Sequence, residues 1–356
     1  MAARKRANSE GGSVGHQDGT GVAVTHLRAA TARTNGMGAN EDARSDARYE
    51  AAFATVDRDD FAAGPQRPPS AAALERTLRL LGARSGDRVL EIGTGSGYPA
   101  AVLSEIVGRH GDVVTTEADV DVASQARERL IASGRESRYG AGLINVTVLR
   151  REPSDVPAPP QLWDRVLLSA PVPLGRVPYA AVAGTRPGGV LVAQPSTEFA
   201  TGPLVRFDVG SDGVATGTAD PSSMERTIPR PTAPSRLDAM LGEVDVSHTT
   251  IDVANLVRHP GWRYAVAVAV PSCRYQDTVI VEDRPGLVLT DPMTSSWAHI
   301  EHGDGSDNYT VRQTGPRLLA DEVLAAIRWY ADRGAPPLES WTWEVSPDRQ
   351  CVTIPG

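Results

Sequence analysis

The sequence of 356 residues has little of what disulfide-bonded, zinc-binding and membrane-spanning proteins require. It contains two cysteines, Cys273 and Cys351, which do not have the spacing of a metal-binding pair. No apolar run approaches the roughly 18 residues of a transmembrane helix, and no apolar signal segment follows the basic residues near the N-terminus. We therefore expect a protein of the reducing cytoplasm, without a bound metal and without a membrane partner.

Basic residues are outnumbered by acidic residues, and lysine is almost absent. The 36 basic and 44 acidic residues leave a net charge of −8, and Lys5 is the only lysine. Nucleic acids are bound through clustered positive charge, so this balance argues against a nucleic-acid partner. Two of the seven histidines, His299 and His302, are close neighbours in the sequence, but they lack further ligand residues and we expect both on the surface.

Three glycines at alternate positions are the most informative feature of the sequence. An apolar segment, Arg88–Ile92, ends in Gly93, Gly95 and Gly97, and a helical stretch follows from Pro99 to Val107. A strand, a tight glycine turn and a helix form the first unit of a nucleotide-binding α/β sheet. Glycine permits positive φ and close approach of a ligand to the backbone, and the N-terminus of the helix favours an anion.

The spacing of these glycines distinguishes between ligands. A dinucleotide fingerprint reads G-x-G-x-x-G, whereas this sequence reads E-x-G-x-G-x-G, which disfavours a dehydrogenase. The pattern is typical of S-adenosylmethionine (SAM) methyltransferases, and SAM carries a carboxylate and no phosphate. The motif supplies the first candidate cofactor-binding residues, which are Glu91, Gly93, Thr94, Gly95, Ser96, Gly97 and Tyr98.

An acidic residue ends the second predicted strand, Gly111–Glu117. Glu117 follows Gly93 by 24 residues, close to the roughly 20 expected of the acid that binds ribose hydroxyls. A carboxylate suits this role because it accepts two hydrogen bonds from a cis-diol. Glu117 and its neighbour Ala118 are therefore further candidates for cofactor binding.

The pattern of strands and helices continues to about residue 193. A helix is predicted over 121–133, and strands over 145–149, 163–169 and 188–193. This alternation predicts an α/β fold with a doubly wound, Rossmann-like parallel sheet that binds its ligand at the carboxyl ends of the strands. Ser169 ends the fourth strand and either lines the methyl pocket or only completes that strand.

We divide the chain into three parts. Residues 1–45 are expected to form a disordered tail, 46–205 a SAM-dependent methyltransferase domain, and 206–356 a smaller α+β C-terminal extension that recognises a peptide substrate. A helix is also predicted over 71–81. In the extension, strands are predicted over 264–270, 278–281, 287–290 and 309–314, a helix over 318–332, and a hairpin from 341–345 and 351–354. We expect its tryptophans to lie in the core and its arginines on a solvated face, namely Trp297, Trp329, Trp341, Trp343, Arg312, Arg317 and Arg328.

A set of ordered motifs resembles the protein-L-isoaspartate O-methyltransferases. The motifs are VLEIGTGSGYPAAVLSEIVG, NVTVL, WDRVLLSAP and RPGGVLVAQP, and the resemblance covers roughly residues 50–205. Tyr98, directly after the glycines, is typical of that family. The resemblance implies a SAM-dependent enzyme that methylates the side-chain carboxylate of Asp or isoaspartate in a peptide or protein.

The C-terminal third resembles a narrower branch of the same family. Its segments GPLVRFDVGSDGVATG, SSWAHIEH, QTGPRLLADEVLAAIRWY and WTWEVSPDRQCVTI are similar to the extension of relatives found with ATP-grasp maturases of graspetide-type peptides. This resemblance implies a ribosomally made precursor peptide as the substrate and an ATP-grasp ligase in the same pathway. It also implies that the methyl ester goes on to an aspartimide or isoaspartate.

Two segments depart from the family pattern. Arg151, Glu152 and Pro153 stand where the family has Gly-Asp-Gly, and Glu152 remains able to accept a hydrogen bond from an adenine amino group. The substrate loop is shortened to GPQRPPSAA, in which Ser70 lies within one residue of the family's substrate-facing hydroxyl. Ser70 is our candidate catalytic residue; it orients the substrate carboxylate, caps the following helix, or does both.

The predicted reaction needs no general base, because a side-chain carboxylate with a pKa near ~4 is already ionised at neutral pH. Two alternatives remain open. One is methylation of a small natural-product carboxylic acid. The other is a non-catalytic SAM-binding partner in a peptide maturation complex, which the altered segment at Arg151 and the shortened loop favour.

Overall fold

Strands and helices alternate along the first half of the chain in the computed structural model, which describes residues 46–134, 145–152, 155, 162–224, 244–281, 284–301 and 308–356. The strands are β1 Arg88–Ile92, β2 Asp112–Glu117, β3 Val146–Arg150, β4 Trp163–Leu168, β5 Val172–Pro173, β6 Thr185–Ala193, β7 Pro195–Ser196, β8 Leu204–Val209, β9 Ala215–Asp220, β10 Asp245–Thr249, β11 Arg274–Val281, β12 Arg284–Asp291, β13 Ser296–Glu301, β14 Tyr309–Thr314, β15 Thr342–Val345 and β16 Gln350–Thr353. The helices are α1 46–55, α2 Ala71–Leu81, α3 Tyr98–Val107, α4 Val120–Ala132, α5 Tyr179–Gly184, α6 Val253–Leu256, α7 Pro260–Ala269 and α8 Leu319–Asp332. The tail predicted over 1–45 and the histidine at 302 lie outside the described residues.

Within the described residues, nine strands form one sheet in the order β16-β15-β9-β8-β6-β4-β1-β2-β3. The strands from β6 to β3 run parallel to their neighbours. Helix α3 joins β1 to β2 and helix α4 joins β2 to β3, because a parallel connection needs a crossover. The predicted α/β fold with a doubly wound, Rossmann-like parallel sheet is confirmed for β6, β4, β1, β2 and β3, and β3, β4, β6 and α4 lie where the sequence predicts them.

The remaining strands of this sheet are antiparallel. The hairpin β8–β9 adds to the edge at β6, and β15 then pairs with β9, with Trp343 opposite Gly217. The C-terminal hairpin β15–β16 is found where the sequence predicts it, but its place in the main sheet is not evident from the sequence. The domain boundary proposed at residue 205 falls within this continuous sheet, and the division into domains stays a prediction.

A second, five-stranded sheet follows the order β10-β14-β13-β12-β11, and every described pair in it is antiparallel. Helices α7 and α8 contact each other, and α8 lies against β12, β13 and β14. The strand predicted over 264–270 is wrong, because these residues belong mostly to α7. Five consecutive residues of α7, Arg263–Ala267, are buried, so the helix shows no clear apolar face, and its alternating Val and Ala resemble a strand.

An aromatic cluster joins the C-terminal hairpin to the helices of the extension. Trp341 is fully buried, with its ring centroid 5.8 Å from Tyr264, 5.9 Å from Tyr330 and 6.1 Å from Trp343. The expectation of core tryptophans is confirmed for Trp297, Trp341 and Trp343, which are all buried. In the part of the chain that the structure describes, no helix is both long and apolar enough to cross a membrane.

Two expectations about polar residues of the extension are wrong. His299 lies on β13, where Trp297–Ile300 are all buried, so it is a core residue and not a surface residue. Arg312 and Arg317 do not belong to a solvated face, because Arg312 pairs with Glu301 and Arg317 pairs with both Asp291 and Glu322. Arg328 alone of the three is exposed, as expected.

Candidate active site

The glycine turn after β1 has the backbone geometry that the motif predicts. Gly93, Gly95 and Gly97 have φ angles of 98°, 52° and 87°, a region that residues with a Cβ rarely adopt. The turn is held to the neighbouring strand, because the backbone N–H groups of Gly93 and Thr94 donate to the carbonyl oxygen of Thr116 at 2.8 and 3.0 Å. Gly97 then caps the N-terminus of α3.

Glu117 faces this turn from the end of β2. Its Oε2 accepts a hydrogen bond from the N–H of Gly95 at 3.1 Å, and its Oε1 accepts one from the N–H of Ala118 at 3.0 Å. Oε1 also accepts from the N–H of Asp119 at 3.3 Å, and these three bonds hold the carboxylate in place and leave a lone pair available to a ligand. The arrangement suits a cis-diol lying across the turn.

A cavity of about 760 Å³ lies over the carboxyl ends of β2, β1, β4 and β6. Seven of the candidate residues line it, namely Gly93, Thr94, Gly95, Ser96, Glu117, Ala118 and Ser169. The other five candidates, although described, are not part of its wall, namely Ser70, Glu91, Gly97, Tyr98 and Glu152. This position follows the general rule for open α/β sheets, in which ligands bind beyond the carboxyl ends of the strands.

Glu91 is fully buried beneath the cavity and organises its floor. Its Oε1 accepts from Ser169 Oγ and its Oε2 from Thr115 Oγ1, both at 2.7 Å. Thr115 Oγ1 also lies 2.7 Å from Thr94 Oγ1. The carboxylate therefore links the glycine turn, β2 and the end of β4. Burial raises the pKa of Glu91 to about 7, although both hydroxyl hydrogen bonds oppose the shift.

Tyr98 and Ser70 have local structural contacts. Tyr98 is buried, its ring lies 5.8 Å from that of Phe61, and burial raises the pKa of its hydroxyl. Ser70 Oγ accepts a hydrogen bond from the N–H of Ala73 at 3.2 Å, so this exposed residue is the N-cap of α2. Its proposed contact with the substrate remains a prediction.

At the adenine end of the predicted site, Arg151 lines the cavity and the neighbouring Glu152 does not. Both residues are exposed at the end of β3. The role predicted for Glu152 as a partner of an adenine amino group therefore stays a prediction.

Sequence reasoning missed several residues of the cavity wall. Arg67 and Arg176 contribute exposed guanidinium groups, and Thr77 and Gln194 contribute polar groups at the end far from Glu117. Gln194 directly follows β6, so the rule that ligands lie at strand ends points to it. Arg67 and Arg176 come from loops, whose spatial positions have no signature in the sequence.

Few of the described residues that line the cavity carry side chains that can act as acids, bases or metal ligands. Among the described residues that line the cavity, Glu117 is the only carboxylate, and there is no histidine, cysteine or lysine. In the described ranges, no group of three or more His, Cys, Asp and Glu side chains is placed to hold a metal ion. The wall thus offers sites for hydrogen bonding and charge pairing but no evident general base beside the acceptor end.

Part of the sequence is similar to that of known proteins. Residues 43–215 match the family model of protein-L-isoaspartate(D-aspartate) O-methyltransferase (PCMT). The protein-L-isoaspartate O-methyltransferase of Ignicoccus hospitalis is 42% identical over 109 residues, which cover 31% of this chain and 47% of that protein. The one from Rhodopseudomonas palustris is 39% identical over 127 residues, which cover 36% of this chain and 53% of that protein. The chain thus spans about half the length of the curated relatives it matches.

Among solved structures, a protein-L-isoaspartate O-methyltransferase matches with a TM-score of 0.48 and 17% identity, over 88% of this chain and 96% of that chain. A putative protein-L-isoaspartate O-methyltransferase from Plasmodium falciparum, solved in complex with S-adenosyl-L-homocysteine, matches with a TM-score of 0.38 and 16% identity, over 49% of this chain and 88% of that chain. Residues 43–215 of this chain are therefore similar in sequence to the protein-L-isoaspartate O-methyltransferases.

Proposed function

We propose that this protein is a SAM-dependent methyltransferase of side-chain carboxylates, acting on Asp or isoaspartate in a peptide or protein. The observation that carries the proposal is the composition of the 760 Å³ cavity. A glycine turn and Glu117 stand at one end, and the other end has no evident general base. A carboxylate is the acceptor that suits such a wall, because it is a nucleophile at neutral pH without losing a proton.

The residues present fit SAM, which supplies an electrophilic methyl group when it is bound. Glu117, held by the N–H groups of Gly95 and Ala118, would accept hydrogen bonds from the ribose hydroxyls. The turn from Gly93 to Gly97 would admit the ligand close to the backbone, because no Cβ projects from its glycines. Ser169, fixed by the carboxylate of Glu91, would border the reacting end.

The contribution of the protein is then alignment and exclusion of water. Holding the acceptor oxygen in line with the bond that breaks can be worth roughly 7–11 kcal/mol. Ser70 would orient the acceptor carboxylate with its hydroxyl and needs to take no proton from it. Arg67 and Arg176, on the wall of the same cavity, would supply positive charge to a negatively charged acceptor.

The finer proposal concerns the substrate. The sequence resemblance of residues 206–356 supports a ribosomally made, Asp-bearing precursor peptide, with an ATP-grasp ligase acting in the same cytoplasmic pathway. In the product, the next backbone nitrogen would attack the ester carbonyl, lose its proton and expel methanol. This step leaves a five-membered aspartimide, and water opens that ring to Asp or isoaspartate.

The experiment is incubation of the full chain with SAM and two substrate sets. One set is synthetic isoaspartyl peptides, and the other is Asp-bearing precursor peptides encoded beside the gene. We expect mass spectrometry to show the gain of one CH₂ unit, or of an imide, in at least one set. Glu117→Ala should weaken SAM binding in calorimetry, whereas Asp121→Ala, an exposed change in the first turn of α4, should not. Unchanged masses in both sets would refute the proposal.

The non-catalytic alternative is favoured by one observation, which is that Arg151 and not Glu152 lines the cavity. A SAM-binding partner without catalysis would bind SAM in calorimetry and methylate neither substrate set. Methylation of a small natural-product acid would instead appear as turnover that needs no peptide.

A further inference from the structure

A second cavity of about 500 Å³ adjoins the proposed SAM site. Ala73, Thr77, Gln194 and Leu204 line both cavities, so the two are continuous past α2 and the ends of β6 and β8. The second cavity is formed further by residues 197–202 and by Arg76, Ser223, Met224, Arg263 and Tyr275. The proposed reaction assigns no role to the second cavity.

The order of the strands in the sheet shows at which end of the first cavity the second cavity begins. Strands β2, β1, β4, β6 and β8 are consecutive neighbours in the sheet. The first cavity therefore runs from Glu117 on β2 to Gln194 after β6 and Leu204 on β8. The second cavity begins at this far end, away from the residues that would bind ribose. An acceptor reaching the methyl group from that side would pass through it.

The charged groups on the wall of the second cavity are predominantly positive. Arg76 is exposed on α2 and has no carboxylate partner among the described residues. Arg263, on α7, is only 5% exposed and hydrogen-bonds to the hydroxyl of Tyr275. The carboxylate of Glu198 is already paired with Arg274 at 2.7 Å. Guanidinium groups remain charged at all accessible pH values, so the cavity favours carboxylates.

The residues around this cavity are tightly packed where α7 and β11 meet the segment after β6. The hydroxyl of Tyr264 donates to the carbonyl oxygen of Pro195 at 2.9 Å. A Cβ at Gly202 would lie 1.8 Å from that same oxygen, so the segment 197–202 closes tightly on β7. Phe199 and Tyr275 contact each other with ring centroids 4.6 Å apart. A preformed wall of this kind lowers the entropic cost of ordering a bound peptide.

We propose that this second cavity binds the residues that flank the methylated carboxylate, and that Arg76 selects an acidic peptide segment. The inference rests on the proposed function, and it adds the chemical character of the acceptor. It places side chains of α7 and β11, which belong to the extension, directly on the acceptor path.

The test compares two isoaspartyl peptides of equal length whose flanking residues are either Asp and Glu or Asn and Gln. We expect kcat/KM to be about tenfold higher for the acidic peptide at low salt and the preference to shrink as salt is added. Arg76→Gln should remove most of the preference and leave SAM affinity unchanged. Arg328→Gln, a change of an exposed arginine on α8 outside both cavities, is the matched control and should retain the preference.

A second measurement separates failure of this inference from failure of the proposed function. Fluorescence anisotropy of the two labelled peptides reports binding even where no methyl group is transferred. If neither isoaspartyl peptide is methylated, tighter binding of the acidic peptide that depends on Arg76 still supports the subsite, and the proposed function fails only if the precursor peptides also remain unmethylated. Equal binding and equal kcat/KM for the two peptides, or a preference that Arg76→Gln leaves intact, would overturn it.

Discussion

The two halves of the nine-stranded sheet differ in how far apart their partners lie in the sequence. In the parallel half, β1 and β2 are joined through α3, and the glycine turn lies between them. In the antiparallel half, Trp343 on β15 pairs with Gly217 on β9, 126 residues earlier. The first half carries the residues proposed to bind SAM, and the second supports the acceptor end. A local motif can thus encode the donor site, while the acceptor side depends on long-range packing.

The two halves also differ in the interactions that hold their elements together. A chain of hydroxyl and carboxyl groups, from Thr94 through Glu91 to Ser169, holds the parallel half beneath the cavity. An aromatic cluster around Trp341 holds the C-terminal hairpin against α7 and α8. Polar networks set position, whereas apolar clusters contribute most of the stabilisation. Mutations in the two regions should therefore have separable effects.

The largest expected effect is in the aromatic cluster. Trp341→Ala removes a fully buried side chain and its hydrogen bond from Nε1 to the carbonyl oxygen of Pro336 at 3.0 Å. We expect a loss of about 3–5 kcal/mol in the free energy of unfolding, measured with denaturant. Trp329→Ala, at a partly buried position, should cost clearly less. A loss below about 1 kcal/mol for Trp341→Ala would mean that the cluster is not a core.

The next effect concerns an ion pair that the extension buries. Arg317 donates to Asp291 at 2.5 Å, and Asp291 is only 2% exposed. Arg317→Gln leaves this carboxylate without its cation and should cost about 3 kcal/mol in the free energy of unfolding. SAM affinity should be unchanged, because neither residue lines the SAM cavity. Reduced SAM affinity in the folded variant would show that the two regions are energetically coupled.

A pH effect of similar size is expected in the parallel half. The pKa of Glu91 is raised to about 7 by burial, so between about pH 4.5 and 7 the folded state holds a proton that the unfolded state has lost. The free energy of unfolding should therefore fall as pH rises through this window, by up to about 3 kcal/mol.

Denaturant unfolding at pH 5 and pH 8 checks this prediction. Glu91→Gln, which has no titrating group at that position, should remove most of the decline. Glu128→Gln, at an exposed position of α4, should retain it. An equal decline of the free energy of unfolding from pH 5 to pH 8 in Glu91→Gln and in the unmodified protein would contradict the assignment of this effect to Glu91.

The smallest expected effect separates two roles of Ser70. Ser70→Ala removes the N-cap of α2 and should cost about 1 kcal/mol in the free energy of unfolding. Ser70→Asp keeps a capping oxygen and should retain that stability, but its negative charge should lower methyl transfer to a carboxylate. Full activity in both variants would leave Ser70 with the capping role alone.

Much of the parallel half could be predicted from the sequence because each of its features is local. The glycine turn, Glu117 at the end of β2 and the helices α2, α3 and α4 lie where the pattern of apolar residues places them. Helix α8 and the final hairpin were predictable for the same reason. The same patterns are misleading for α7, which is buried on most sides and therefore lacks a polar face.

The candidate site was predictable only in part. Residues within the motif line the cavity, but Glu91 lies beneath it and Tyr98 packs against Phe61, because alternate residues of a strand face opposite sides and the first turn of α3 is buried. Arg67, Arg176 and the second cavity arise where loops and distant strands meet. No spacing in the sequence encodes such a meeting point.

The glycine turn and the acid proposed to bind SAM could be read from the sequence, because E-x-G-x-G-x-G and a strand-end acid need only neighbouring residues to take their shape. The acceptor side of the cavity forms only when distant elements of the chain pack together. Strand β15 is joined to β9, Tyr264 is hydrogen-bonded to Pro195, and Arg263 and Gln194 lie on the wall of one cavity, although each pair comes from segments that are far apart in the chain. Such contacts depend on how whole elements pack, and packing is a property of the folded chain.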